Sequence, residues 1–178
     1  MKFVQIFFAA MLAGLATAGT AMAENSLKSG AKGLSFGIVD SGIEVSGRLF
    51  VSNDVAVLAG LGLDHKTNDE TTTDYSLSAG VRKYLGKADL APFVGVNARF
   101  NRREVIIAAP VVGTSVESER TFGLDADFGL EYFFAKQVSA EAQVGVGLSS
   151  IHNVDGSGAN VTELGTFSSG VKVNFYLP

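Results

Sequence analysis

"FGLDADFGLEYFF" at residues 122–134 shows the residue pattern from which the architecture of the chain follows. Its even-numbered positions are apolar, among them Leu124 and Phe128, whereas its odd-numbered positions include Asp125, Asp127 and Glu131. Alternation with a period of two residues predicts a β-strand that has one apolar and one polar face. The rest of the chain must show which of the two faces points outward.

The same alternation recurs along the chain after residue 24, and no segment there has the period of a helix. Turn-forming residues separate the alternating stretches, which predict eight strands. The predicted strands cover residues 33–39, 43–51, 55–64, 74–85, 93–101, 121–134, 138–150 and 164–177. Pro92, Pro110 and Pro178 are expected outside the strand interiors, because proline cannot donate to the ladder.

The positions of the glycines discriminate between two kinds of β-barrel that share this alternation of apolar and polar faces. A water-soluble barrel would hold the apolar face inside, and a membrane barrel would turn it toward lipid. Glycines recur on the charged face, where they weaken strands unless they make room. The interior of an eight-stranded barrel is barely wide enough for side chains, so long charged residues there need glycines opposite them. The sequence therefore predicts an all-β fold, a closed antiparallel eight-stranded transmembrane β-barrel.

The first 23 residues have the composition of a secretory signal peptide. Lys2 precedes an apolar run, and the segment closes on Ala21-Met22-Ala23, an A-x-A cleavage pattern. An uncleaved membrane anchor is the alternative. We expect a signal peptide over 1–23 and one outer-membrane barrel domain over 24–178, exported through the periplasm.

Composition excludes several classes of protein. The chain has no cysteine, so neither a disulfide nor a cysteine metal site is available. Its net charge of −4 and its scattered lysines and arginines give no basic stripe, which argues against nucleic acid.

The connections between predicted strands alternate in length, as in bacterial barrels whose chain ends lie in the periplasm. Three are short: "SND" (52–54), "GKADLA" (86–91) and "AKQ" (135–137). Three are long: "HKTNDETTT" (65–73), residues 102–120 and "HNVDGSGANVTE" (152–163). The first connection, "DSG" (40–42), is the exception, because it is a tight turn on the predicted external side.

The chain resembles the opacity-type family of small bacterial outer-membrane proteins. Three stretches carry the resemblance: "GVRKYLG" (80–86), "APFVGVNARF" (91–100) and "FGLDADFGLEYFF" (122–134). It implies a location in the outer membrane and a last strand that the barrel assembly machinery reads, with Gly170, Val173 and Phe175 as the assembly signal. The chain departs from the family in extending beyond Phe175 with "YLP".

The polar face carries charges of both signs, which predicts an interior ion network. Its acids are Glu44, Asp125, Asp127, Glu131 and Glu141, and its bases are Arg48, Arg82, Arg99 and Lys172. Buried charges are costly unless they are paired, so near-balance favours a plug. A narrow pore is the alternative.

The predicted function is a structural or surface-interaction role that external loops carry. "NRREVIIAAPVVGTSVESER" (101–120) is expected to extend strands five and six as a hairpin beyond the membrane and to bury its apolar face on neighbouring loops. Contact of this apolar stretch with an external ligand or host factor is the alternative. Outer-membrane lipids are further expected partners, and Arg102 and Arg103 at the membrane edge are expected to contact lipopolysaccharide phosphates. A solvated basic pair is the alternative.

A lipid A-modifying enzyme is the alternative from another class. Ser150 and His152 share a strand face, and Glu163 follows across the loop. An exposed turn histidine explains His152 more simply. We therefore predict no enzyme activity, no catalytic residue, no metal and no cofactor.

Overall fold

The computed structural model describes residues 27–40, 42–67, 71–109, 113–153 and 161–177. The predicted signal peptide lies outside the described residues. Eight strands account for most of the rest: β1 (Lys32–Val39), β2 (Gly42–Phe50), β3 (Val55–Thr67), β4 (Thr71–Tyr84), β5 (Leu90–Ala109), β6 (Gly113–Ala135), β7 (Val138–Asn153) and β8 (Val161–Leu177). In these segments no helix has the length and hydrophobicity to cross a membrane.

The eight strands close into one antiparallel barrel in chain order. β1 pairs with β2 on one side and with β8 on the other, from Lys32 opposite Leu177 to Val39 opposite Gly170. The predicted fold class is therefore confirmed. Closure pairs the two strand edges with each other, which a bilayer requires because it offers no water to backbone groups.

The two faces of the strands point as the glycine argument predicts. On β6, Leu124 and Phe128 are 48% and 50% exposed on the outside, whereas Asp125 and Asp127 are 7% and 6% exposed inside. A soluble protein shows the opposite arrangement, with its charges outside. An apolar outer surface around a charged interior is the arrangement of a membrane barrel.

Glycines on β7 make room for the acids of β6. A Cβ on Gly145 would collide with Asp127, and a Cβ on Gly147 would collide with Asp125. The glycines on the polar face therefore have the spatial role that the sequence indicates, since any larger side chain would occupy the place of a carboxylate.

We call the end where β3–β4, β5–β6 and β7–β8 connect the hairpin end. The predicted long connections here are mostly strand: β3 and β4 leave only residues 68–70 between them, and β5 and β6 pair as far as Ala109 opposite Gly113. The sequence shows no clear boundary because threonine, serine and charged residues suit an extended ladder in water as well as a loop. The predicted hairpin from 101–120 is present in the backbone.

We call the opposite end the turn end; it holds the connections 51–54, 85–89 and 136–137. In the first, the Ser52 hydroxyl donates to Asp54 Oδ1 at 2.7 Å, and this hydrogen bond lowers the pKa of that carboxyl. Pro92 lies inside β5, contrary to expectation. Its carbonyl accepts from Leu85 N at 2.8 Å, and the β4 ladder begins only at Phe93, so its missing N–H interrupts no pairing with β4.

Candidate functional site inside the barrel

The turn half of the interior contains two carboxylates that the fold places side by side. Glu131 of β6 lies directly opposite Glu141 of β7, and both side chains are fully buried. Like charges in this position repel each other. Arg48 of β2 offsets the repulsion, because its Nη1 lies 2.9 Å from Glu131 Oε2 and its Nη2 lies 2.7 Å from Glu141 Oε2.

A second arginine completes the charge balance. Arg82 of β4 donates two hydrogen bonds to Glu141, from Nη1 to Oε2 at 2.6 Å and from Nη2 to Oε1 at 3.1 Å. Its guanidinium also lies over the ring of Phe93, 3.6 Å from the centroid. Two arginines thus meet two glutamates, and bidentate contacts of this kind are the strong class of ion pair. We call Arg48, Arg82, Glu131 and Glu141 the lower network.

Neutral polar groups satisfy the remaining sites of the lower network. Tyr84 and Tyr176 donate their hydroxyls to Glu131 at 2.5 and 2.6 Å. Asn174 donates to Glu131 at 2.9 Å and accepts from Arg48 at 3.0 Å, and Ser139 also donates to Glu131. Arg48 Nε is the one fully buried nitrogen or oxygen of these four side chains that has no hydrogen-bond partner in the described part of the chain.

An aromatic layer that was not among the predicted site residues closes the barrel below the lower network. We call it the aromatic base; its members are Phe50, Tyr84, Phe93, Phe133 and Tyr176. Phe50 stacks on Tyr84 at 5.5 Å between centroids, and Leu27 and Ala31 of the segment before β1 join the cluster. Each aromatic residue continues the interior phase at the turn end of its strand, which is the signal that would have revealed it.

The middle of the interior is narrow. Lys172 pairs with Glu44, and Asn97 donates to Asp127. Beside them lies a cavity of about 20 Å³, which has room for a single water. It is bordered by Ser46, whose hydroxyl has no partner among the described residues.

The hairpin half of the interior opens into a vestibule of about 410 Å³. Its described lining contains six acids and two arginines: Asp40, Glu44, Asp64, Asp74, Glu119, Asp125, Arg99 and Arg103. Arg99 pairs with Asp40 and lies 3.3 Å from Asp125. Near the opening of the vestibule, Arg103 donates from Nε to Asp74 Oδ1 at 2.8 Å and from Nη2 to Asp74 Oδ2 at 3.2 Å. The vestibule is therefore acidic and open, whereas the lower network is neutral and closed.

The nine charged residues of the predicted ion network all line the interior, but the structure divides them. Four form the lower network, Lys172 and Glu44 pair above it, and Arg99 and Asp125 belong to the vestibule. Asp127 has a hydrogen bond from Asn97 and no ion pair within the described residues. Sequence alternation identified the shared face, but the pairing depends on strand register, which alternation does not determine.

The other predicted site residues lie on β5, β7 and β8. Arg102 points outward from β5, and Arg103 points into the vestibule. On β8, Gly170 is buried on the inside, while Val173 and Phe175 face outward. Phe175 meets Phe36 of β1 edge to face at 6.2 Å.

Ser150 and His152 of β7 are both exposed, and no hydrogen bond joins them among the described contacts. In register, Ser150 lies opposite Thr162 and Ser149 lies opposite Glu163. The side chain of Glu163 lies outside the described part of the structure. The described geometry therefore assembles no nucleophile–base pair from these residues.

Comparison with solved structures agrees with this architecture. The chain is similar to the N-terminal β-barrel domain of Pseudomonas aeruginosa OprF, with a TM-score of 0.50 and 16% identity over 84% of this chain and 98% of that one. It is also similar to Neisserial surface protein A (TM-score 0.47, 14% identity, 83% of this chain and 94% of that one) and to Acinetobacter baumannii CarO (0.44, 13%, 86% and 100%). No family model and no curated protein matches the sequence.

The likeness to the OprF domain is a likeness of fold. Together with the closed barrel and its apolar outer surface, it shows that the chain has the fold of the small eight-stranded outer-membrane β-barrels.

Proposed function

We propose that this protein is a non-enzymatic outer-membrane barrel of the opacity type, with a structural role and a surface-interaction role at its hairpin end. One observation carries the proposal: the lower network and the aromatic base fill the turn half of the interior, whereas the hairpin half is open. A barrel that is closed on one side and open on the other presents its recognition surface at the open end.

The closed half supports a plug more than a pore. The lower network contains two positive and two negative charges in direct contact. Moving an ion through it would separate these pairs in a buried place, which is costly because each charge would lose its partner. We therefore expect no stable conductance from the folded protein. Planar-bilayer recording tests this, and steady single-channel currents would favour the pore alternative.

The β5–β6 hairpin supports the surface role. Its strands remain paired as far as Ala109 opposite Gly113, three residues past the last β4–β5 pair, Thr71 opposite Ile106. A projecting hairpin on a rigid barrel is a common place for binding residues. We propose that it meets an external ligand or host factor, and cell-adhesion assays with and without residues 105–116 test this.

The enzyme alternative rests on Ser150 and His152. Both project to the outside of β7, where the described residues supply no hydrogen bond to activate the serine. We therefore expect Ser150→Ala and His152→Ala to leave lipid A unchanged. Mass spectra of lipid A from cells with the parent protein, each variant or neither test this; a modification that requires Ser150 would replace the surface role with acyl chemistry.

We propose that β8 is the strand read by the barrel assembly machinery. Val173 and Phe175 lie on its outer face, and Gly170 lies inside, where a Cβ would come within 3.1 Å of Val39 Cγ2. Combining Phe175→Ala with Gly170→Asp is expected to lower the amount of folded protein in the outer membrane. Cell fractionation measures it, with removal of residues 176–178 as the milder comparison.

A further inference from the structure

Four outward-facing residues form a row across four adjacent strands at the hairpin end. Tyr75 of β4 lies opposite Arg102 of β5, Arg102 lies opposite Arg120 of β6, and Arg120 lies opposite His152 of β7. All four are exposed. Residues that are distant in the sequence thus make one continuous strip, which we call the basic row.

The basic row lies at the upper edge of the apolar outer surface. One same-face step below it are Leu77, Phe100 and Phe122, which are 53%, 40% and 51% exposed. On β4, β5 and β6 the next described outward charge below is Lys83, near the turn end. If the apolar surface faces acyl chains, as the proposed membrane location requires, the basic row is at the depth of the lipid headgroups.

The charges of the basic row are incompletely matched. Arg102 Nη2 lies 2.9 Å from Glu104 Oε1, on the same strand and face. Arg120 has no ion pair among the described residues, and it faces Arg102 directly across the ladder. Two cations opposite each other repel, and an anion between them would remove the repulsion.

We propose that the basic row binds the phosphate of a lipopolysaccharide molecule in the outer leaflet, an inference that rests on the proposed outer-membrane location. Arginine suits this ligand because its planar group donates two parallel hydrogen bonds to a phosphate. Tyr75 and His152 flank the arginines, and tyrosine is a residue that favours the membrane interface. Arg103 does not belong to the site, because it faces the vestibule and pairs with Asp74.

The neighbouring arginines provide a matched control. Arg102 and Arg103 are adjacent on β5 and have opposite orientations, so Arg102→Gln combined with Arg120→Gln removes the row, whereas Arg103→Gln removes the same kind of charge from the inside. Each protein is folded into phosphatidylcholine vesicles that contain either bisphosphorylated lipid A or its dephosphorylated form. Retention of lipid A by the purified barrel is then measured by mass spectrometry.

We expect the double variant to lose affinity for the phosphorylated lipid on the order of tenfold, because hydrogen bonds to charged groups are the strong ones. Arg103→Gln should bind as the parent does, and the dephosphorylated lipid should not distinguish the three proteins. Equal binding by the double variant and the parent would overturn the proposal. Equal retention of the phosphorylated and the dephosphorylated lipid by the parent would also overturn it, since the arginines would then not recognise the phosphate.

The folded state is checked first, from the heat-modifiable shift on gels. If the parent does not enter vesicles, the membrane location itself fails. If all three proteins fold but retain lipid A equally, only the proposed binding of lipopolysaccharide by the basic row is contradicted. Arg120→Gln alone serves as a second variant if the double variant does not fold, and it should show a smaller loss in the same direction.

Discussion

The two halves of the interior use the same kinds of residues in opposite ways. In the turn half, Glu131 and Glu141 are fully enclosed and each has several hydrogen bonds. In the hairpin half, Asp74 and Arg103 are partly exposed and surround an open space. Charged interior positions alternate with apolar outer positions in both halves, but the interior positions become aromatic at the turn end. The aromatic base and the strand register therefore make one half a plug and leave the other as a vestibule.

The largest expected effect comes from breaking the plug. Glu141→Ala removes the carboxylate shared by Arg48 and Arg82 and should lower the free energy of unfolding by about 3–5 kcal/mol, because it leaves buried charge uncompensated. Asp74→Ala in the vestibule should cost less than about 1 kcal/mol, as exposed pairs do. The chain has no tryptophan, so urea titrations in vesicles are followed by the gel shift. Equal losses in the free energy of unfolding for the two variants would mean that the ion pairs of the turn half stabilise the barrel no more than those of the vestibule.

Substitution of an outward-facing residue tests whether the surface around both halves of the interior faces lipid. Leu124 is an outward residue next to the inward Asp125, so Leu124→Arg should cost about 2–4 kcal/mol near the middle of the membrane. Leu124→Met is the control of similar volume and should cost under about 1.5 kcal/mol. The same titration measures both. Tolerance of arginine at this position would contradict the membrane orientation of the barrel.

Two glycines of β6 report how tightly each half of the interior is packed. A Cβ on Gly129 in the turn half would collide with the Phe93 ring and the Ala142 carbonyl, whereas the nearest atom to a Cβ on Gly123 in the vestibule is Leu148 O at 3.6 Å. Gly129→Ala should therefore cost about 1–3 kcal/mol from overpacking. Gly123→Ala should stay within about 0.5 kcal/mol of the parent. A similar cost at both would mean that the turn half is packed no more tightly than the vestibule.

The sequence predicted much of this fold because its information is local. Alternation along residues 122–134 gives strand and face, and glycines such as Gly145 and Gly147 on the charged side give the membrane orientation. The number of strands followed from finding the same alternation along the rest of the chain, and closure followed from the need to pair every strand edge in a bilayer. The nine interior charges were identified for the same reason, since each lies in the polar phase of its strand.

The pairing inside the barrel was not predictable in the same way. Arg48 meets Glu131 and Glu141 from strands far away in sequence, and a shift of two residues in register would change its partners while keeping every side chain on the same face. The opposite orientations of Arg102 and Arg103 were missed because β5 continues past residue 101, where the predicted strand ends. The composition of the basic row depends on register as well. The true partner of Arg102 across the ladder, Arg120, is 18 residues further along the chain.

The smallest expected effect comes from shortening the hairpin. Replacing residues 105–116 with a short Gly-Ser connection leaves the lower network, the aromatic base and the β1–β8 closure in place, so the free energy of unfolding should change by less than about 0.5 kcal/mol. The gel shift and urea titration measure the folding, and adhesion assays measure the surface role separately. A hairpin that is needed for binding but not for folding would place function at the hairpin end and stability at the turn end. Loss of folding would instead show that the hairpin belongs to the stabilising part of the barrel, because pairing beyond the membrane would then be holding the strands in register.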